Sequence, residues 1–237
     1  MFTHKGIKRL ASLRFLRNRV LVTIFALVLG LTLLTAFVPS PAFSQSAPLV
    51  LGKTIGQWSA AWWQWISKIP RDSNPLLDDT GQFSGVNQAG PVWFLAGTPG
   101  FWGPVTREVT VPAGKSIFFP ILFIAIPKSP GDPETESSIR TRLNDFATPL
   151  GGDVVSTLDG VPTVFNPSTP TVRTQSPVFA LENVPDDNIF GETIPAGSIG
   201  ISDGFWVMLP PLKPGSHVLQ FGVAFGAEDV TFKLTVK

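Results

Sequence analysis

The sequence predicts a mainly β protein: a single β-sandwich or jelly-roll-like domain with an N-terminal Trp-rich helix and a second, short helix packed on it. Three observations carry that reading. Short apolar runs are separated by turns drawn from 22 glycines and 23 prolines, the punctuation of many short strands. The last of these runs alternates cleanly, with Phe232, Leu234 and Val236 set against Thr231, Lys233 and Thr235, as a half-buried strand does. Four of the seven tryptophans crowd into residues 54–70 at helical spacing. No internal repeat and no second composition regime interrupts the chain. Residues 54–237 therefore read as one β-rich domain, preceded by a tether at 45–53 and a leader at 1–44.

The Trp-rich segment is the first element. At 100° per residue, Ile55, Trp58, Trp62, Trp65, Ile66 and Ile69 fall within an arc of about 100°, with Gln57, Gln64 and Lys68 opposite. Trp63 lies about 60° outside that stripe and is expected to be the least buried of the four tryptophans. Thr54 with Gln57 three residues on is a capping-box start, and Pro70 ends the helix. Burying one Trp removes roughly 150–250 Å² from water, an upper bound of about 4–6 kcal/mol. Such a stripe has to dock on a large apolar surface.

Residues 71–90 form a polar, turn-rich loop. Strands are then expected at 92–96, 106–111 and 116–126. The third is apolar enough to be buried on both faces, and Pro120 in its middle implies a bulge or a break. Asp132-Pro133-Glu134 opens the second helix, with an N-cap, a proline at the first helical position and acids against the dipole. Its expected buried stripe is Ile139, Leu143 and Phe146, and Pro149 with Gly151 and Gly152 closes it. Further strands are expected at 154–158, 161–165, 171–175, 177–181, 205–209, 217–224 and 230–236, the first two joined by the hairpin turn Asp159-Gly160.

The leader decides the charge balance. Residues 1–19 hold six basic residues and no acid, residues 20–38 run apolar, and Ala42-Phe43-Ser44 offers a cleavage site after two prolines. That order is a secretory signal with cleavage expected after Ser44. The rival reading is an uncleaved anchor through residues 20–38, close to the ~20 residues that span a bilayer. With six of 18 basic residues and none of 17 acids in the leader, the remainder carries a net charge of about −5. The basic balance of the whole chain is thus an export feature. No Lys/Arg cluster survives downstream, which argues against nucleic-acid binding. The chain has no cysteine, hence no disulfide, no thiolate chemistry and no lipid attachment through a cysteine. An exported protein, periplasmic or extracellular and free of the membrane once the signal is removed, fits these features.

Few constellations suggest chemistry. Gly114-Lys115-Ser116 ends like a phosphate loop but lacks the earlier glycine and precedes a strand, so it reads as a turn. His217 is the single histidine beyond the leader, which excludes a multi-His metal site. It leaves one candidate base for Ser-His-Asp chemistry, with Asp203 or Asp229 as a partner. Ser216 adjoins His217 and points to the opposite face of the strand. The plainer reading is a strand-edge histidine. Asp186, Asp187, Asn188 and Glu192 place oxygen donors in one loop, and Asp78-Asp79 forms a second cluster. Calcium takes six to eight such oxygens, although the spacing is not an EF-hand and a solvated acidic turn also accounts for it. Phe101 and Trp102, between rigid prolines and permissive glycines in residues 97–104, are candidate ligand-binding residues, since flat aromatics at a loop tip stack on sugar rings. The alternative is that they fold back on the Trp helix.

The runs Trp62-Trp63-Gln64-Trp65 and Asn74-Pro75-Leu76-Leu77-Asp78-Asp79-Thr80-Gly81, with Gly90-Pro91-Val92-Trp93-Phe94-Leu95-Ala96-Gly97-Thr98, Val111-Pro112-Ala113-Gly114-Lys115 and Phe118-Phe119-Pro120, resemble a family of uncharacterised bacterial secreted β-rich proteins. The resemblance covers most of residues 45–237. It implies export and a β-rich fold and brings no known activity. It also implies cysteines at the positions held here by Ser84 and Val109; without them the core alone sets stability. The function expected is that of a non-catalytic exported protein that binds a polysaccharide or a cell-envelope or matrix partner. The alternative is a carbohydrate-active enzyme using an Asp/Glu pair.

Overall fold

The computed structural model describes residues 48–99, 104–150, 154–163, 171–223 and 230–237. Residues Ala47–Lys237 form one unit, mainly β, which among the described residues has two five-stranded sheets and two α-helices. Helix α1 spans Ile55–Ile66 and α2 spans Glu136–Ala147. The strands are β1 Val92–Phe94, β2 Val105–Val111, β3 Ser116–Lys128, β4 Val154–Leu158, β5 Val161–Pro162, β6 Thr171–Gln175, β7 Phe179–Ala180, β8 Ile199–Leu209, β9 Gly215–Val223 and β10 Val230–Val236. One sheet runs β1-β3-β8-β6, with β7 also on β8; the other runs β2-β10-β9-β4-β5. Each contains one parallel pair, β1 with β3 and β2 with β10. Among the described residues no helix is long and apolar enough to cross a membrane.

The core lies in layers. Phe119, Val207 and Leu209 of the first sheet meet Leu219, Phe221, Phe232 and Leu234 of the second, and the Phe119 and Phe221 rings stack at 4.6 Å. On the far face of the first sheet, Phe118, Trp206 and Met208 take the tryptophans of α1. The capping box forms as the sequence requires: the Gln57 N–H donates to Thr54 Oγ1 at 3.1 Å and the Thr54 N–H to Gln57 Oε1 at 2.9 Å. Indole N–H groups then tie the helix to distant backbone. Trp58 donates to Val50 O, Trp62 to Leu95 O and Trp65 to Val86 O. Asn74 closes the helix end by donating to Ile66 O and Ile69 O.

Several expectations are corrected by packing. Trp63 is 5% exposed, because Phe123 of β3 and Phe190 of the loop beyond β7 close over it, the latter stacked at 6.2 Å. Helix α2 starts at the Thr135 cap, not at Asp132, whose carboxylate instead accepts the Glu134 N–H in a local turn. Its buried stripe is Ile139, Leu143 and Ala147, an i, i+4, i+8 row of which Ile139 and Leu143 pack against Ile201, Ile124 and Ile126 and Ala147 joins the core between the sheets, which leaves Phe146 45% exposed.

β8 begins at Ile199, six residues before the expected 205. Its glycines sit where other residues crowd in: a Cβ on Gly204 would lie 2.4 Å from the Leu122 carbonyl oxygen. That crowding comes from the irregularity between Pro120 and Leu122, the bulge that Pro120 implied. The Asp159-Gly160 turn has both residues at positive φ, 51° and 78°, as a two-residue hairpin demands. β5 is shorter than expected.

Candidate functional site

A groove of about 850 Å³ lies between one face of α2 and the edge of the first sheet. Glu136, Arg140 and Asn144 project from successive turns of α2, one helical repeat apart. Arg173 and Gln175 project from alternate positions of β6, and Asp203 comes from β8. Asp203 shares its face of β8 with Ile201 and Phe205, so its side chain stands in the plane of the core and is 2% exposed.

A buried carboxylate needs partners, and the groove supplies them. Arg173 approaches side-on, Nε donating to Oδ1 at 3.2 Å and Nη2 to Oδ2 at 3.0 Å, while Gln175 Nε2 donates to Oδ2 at 3.1 Å. Arg173 also reaches Thr148 Oγ1 and the Asn144 side chain. Arg140 pairs with Glu136 at 2.8 Å and donates to Gln175 Oε1 and Ser176 O. Gln175 returns a bond to Arg140 O at 2.8 Å. The two guanidinium groups and two carboxylates thus cancel in pairs, and the network fastens α2 to the sheet. Both Asp203 oxygens are occupied by N–H donors, so this carboxylate does not face the groove as a free base. Glu136 is half exposed and bound to Arg140 through one oxygen.

The residues singled out by sequence fall elsewhere. Phe101, Trp102 and Asp229 lie outside the described residues. The partner of His217 is Asp159, not Asp203, which belongs to the other sheet. His217 Nδ1 lies 2.7 Å from Asp159 Oδ2 and Nε2 lies 2.9 Å from Lys213 O. Both partners are acceptors, so the geometry favours the imidazolium, which donates from both nitrogens and in that form has no lone pair for base catalysis. Accordingly the hydrogen bond to Asp159, with that to Lys213 O, pushes the His217 pKa up. The bonds from His217 and the Val218 N–H hold Asp159 down.

The loop holding Asp186, Asp187, Asn188 and Glu192 is organised by backbone rather than by converging carboxylates. Asn188 is buried; its amide donates to Pro185 O and Glu192 O and its oxygen accepts the Phe190 N–H. Asp186 and Glu192 are exposed, and Asp187 sits 3.8 Å from Arg71. Among the described residues no three His, Asp or Glu side chains gather as metal ligands. Asp78 is likewise engaged in a turn. Burial raises its pKa, but N–H donors from Phe83 and Thr80 outweigh that and leave it below the ordinary carboxylate value.

The groove had two signals in the sequence: Glu136, Arg140 and Asn144 at a spacing of four, and Asp203 as the lone charge in an apolar strand. No family model matches the sequence, and no curated protein matches it. Among solved structures, a chain from the structure of PbICP-C in complex with falcipain-2 is similar over 62% of this chain and 100% of its own, at 10% identity and a TM-score of 0.25. A likeness that loose carries no argument about fold or activity.

Proposed function

We propose that the protein is an exported, non-catalytic binding protein whose groove between α2 and β6 takes an uncharged, polyhydroxylated ligand, a glycan of the cell envelope or matrix. The observation that supports this is the pairwise cancellation of charge: Arg140 with Glu136 and Arg173 with Asp203. An anion would meet two carboxylates there and a cation two guanidinium groups. A sugar hydroxyl, donor and acceptor at once, suits a wall of fixed guanidinium, amide and hydroxyl groups. The enzyme alternative is disfavoured because the Asp203 oxygens are held by Arg173 and Gln175, whereas a carboxylate pair must act on substrate from both members.

The test is an oligosaccharide panel titrated by calorimetry against the wild-type protein and Thr141→Trp. Thr141 is exposed on the groove wall, so the variant fills the groove without entering the Arg–Asp network. Saccharide binding lost in the variant, with an unchanged melting temperature, supports the proposal. Binding equal in both proteins, or no binder in the panel, overturns it, and release of new reducing ends would favour the enzyme. Trp102→Ala in the same panel tests the aromatic loop: about 1–3 kcal/mol of weakened binding, by analogy with other aromatic stacking, adds it to the site.

A further inference from the structure

The two ends of the groove beside α2 leave different polar groups open. At the C-terminal end of the helix stands Arg173, whose guanidinium has five N–H groups. Nε and one Nη2 hydrogen go to Asp203, the other Nη2 hydrogen is shared between the backbone and side-chain oxygens of Asn144, and one Nη1 hydrogen goes to Thr148 Oγ1. One Nη1 hydrogen is left over. Asn144 turns its Oδ1 to Arg173 at 3.1 Å, which makes Nδ2 the free end of the amide, and among the described residues no acceptor meets that nitrogen. The acceptors nearby are engaged. Asp203 is 2% exposed and held by Arg173 and Gln175, and Thr148 Oγ1 accepts from Arg173 while donating to Asn144 O at 2.7 Å. What this end offers a ligand is a pair of donors.

The N-terminal end of the helix is mixed. Arg140 uses Nε and one Nη2 hydrogen on Glu136 Oε1, and its Nη1 hydrogens on Gln175 Oε1 and Ser176 O. One Nη2 hydrogen is left over. Glu136 Oε2 takes no donor among the described residues. A donor and an acceptor therefore stand together here. Glu136 and Asn144 are eight residues apart on α2, about 12 Å along its axis, so a ligand that touches both is longer than a single sugar ring.

We propose that the ligand of this groove is an N-acetylated glycan, with an acetamido carbonyl seated between Asn144 Nδ2 and Arg173 Nη1 and a hydroxyl between Glu136 Oε2 and Arg140 Nη2. This rests on the glycan reading of the groove given above. A carbonyl oxygen offers two lone pairs and no hydrogen, so it satisfies two donors at once, one of them charged and correspondingly stronger. A hydroxyl in the same place has its own proton to donate, and the acceptors beside Asn144 are taken. At the other end a hydroxyl fits, since it donates to the carboxylate and accepts from the guanidinium. A uronate carboxylate has the lone pairs of a carbonyl but carries a net charge into a wall whose charges cancel in pairs.

Calorimetry of the wild-type protein with oligomers of N-acetylglucosamine and of glucose, equal in length and linkage, tests this, because the two differ only in acetamido against hydroxyl. The acetylated oligomer should bind at least about tenfold more tightly, the worth of one well-made hydrogen bond. Asn144→Asp keeps an oxygen for Arg173 and replaces the Nδ2 donor with an acceptor. With an unchanged melting temperature, it should bring the two affinities within about twofold of each other. Equal binding of the two oligomers by wild type overturns this inference and leaves the groove reading in place, as does a preference that survives in Asn144→Asp. Tighter binding of a uronate oligomer of the same length overturns it in favour of a carboxylate. Binding of other saccharides but of neither of these also overturns this inference alone, whereas silence across the whole panel overturns the groove reading with it.

Discussion

Arg107 is fully buried, 1% exposed on β2, and touches no carboxylate directly. It donates instead to four backbone carbonyls: Nε to Asp78 O at 2.6 Å, Nη1 to Ala96 O at 2.6 Å and Gly97 O at 2.9 Å, and Nη2 to Leu76 O at 3.4 Å. It also lies 5.6 Å over the Phe232 ring. One side chain thus pins both ends of the 76–97 stretch to the second sheet. Burial pushes its pKa down to about 10, against the opposing fields of Asp78 and Asp79, so it remains charged at neutral pH. Arg107→Met keeps most of the volume but orphans three closely bonded carbonyls. Each orphan costs about 1–3 kcal/mol, while not burying a charge recovers part of the sum. The net expectation is a loss of about 3–5 kcal/mol. Arg107→Lys keeps the charge on one nitrogen, which cannot span Asp78 O and Ala96 O together, and should lose nearly as much. Urea unfolding followed by tryptophan fluorescence reads both: at a slope of about 2–3 kcal/mol/M the midpoint should fall by more than ~1 M. Two results refute the reasoning: a methionine variant within about 0.5 kcal/mol of wild type, or a lysine variant that restores full stability.

Three further outcomes are expected. Trp62→Ala and Trp63→Ala should each cost about 3–5 kcal/mol, since the two side chains are 0% and 5% exposed; a negligible loss for Trp63 would show that Phe190 does not hold it in solution. Asp203→Asn, which leaves Arg173 without its counter-charge, should cost about 2–4 kcal/mol, discounted because Arg173 is a quarter exposed, and a melt equal to wild type would remove the network from the fold's support. The His217–Asp159 pair should give a small pH dependence. The histidine contribution is complete below its ordinary 6.5 and lost as pH rises through its elevated folded value. The aspartate contribution is present above its ordinary 3.8 and lost as pH falls through its depressed one. Between those two ordinary values wild type should exceed His217→Gln by up to ~1 kcal/mol, because Asp159 is half exposed; a gap that grows above pH 8 would contradict the sign.

The elements legible along the chain are those that local chemistry decides. The Thr54–Gln57 box closes within one helical turn, the Asp159-Gly160 turn follows from φ preference, the irregularity after Pro120 from a missing N–H, and strand β10 from side chains alternating between core and solvent. Each depends on residues a few positions apart, so reading along the chain suffices. Tertiary structure decided the rest, because those choices rest on groups far away in sequence. Trp63 is buried because Phe123 and Phe190 arrive from elements 60 and 127 residues later. Helix α2 buries Ala147 rather than Phe146 because Ile139 and Leu143 rest on Ile124, Ile126 and Ile201, which turns Ala147 into the core between the sheets. His217 finds Asp159 through the pairing of β9 with β4. The groove exists only because β6 pairs with β8 and brings Arg173 beside Asp203, then α2 docks with Arg140 against Gln175. A charged residue in an apolar strand announces that it needs a partner; which arginine answers is set by strand order, which no local pattern encodes.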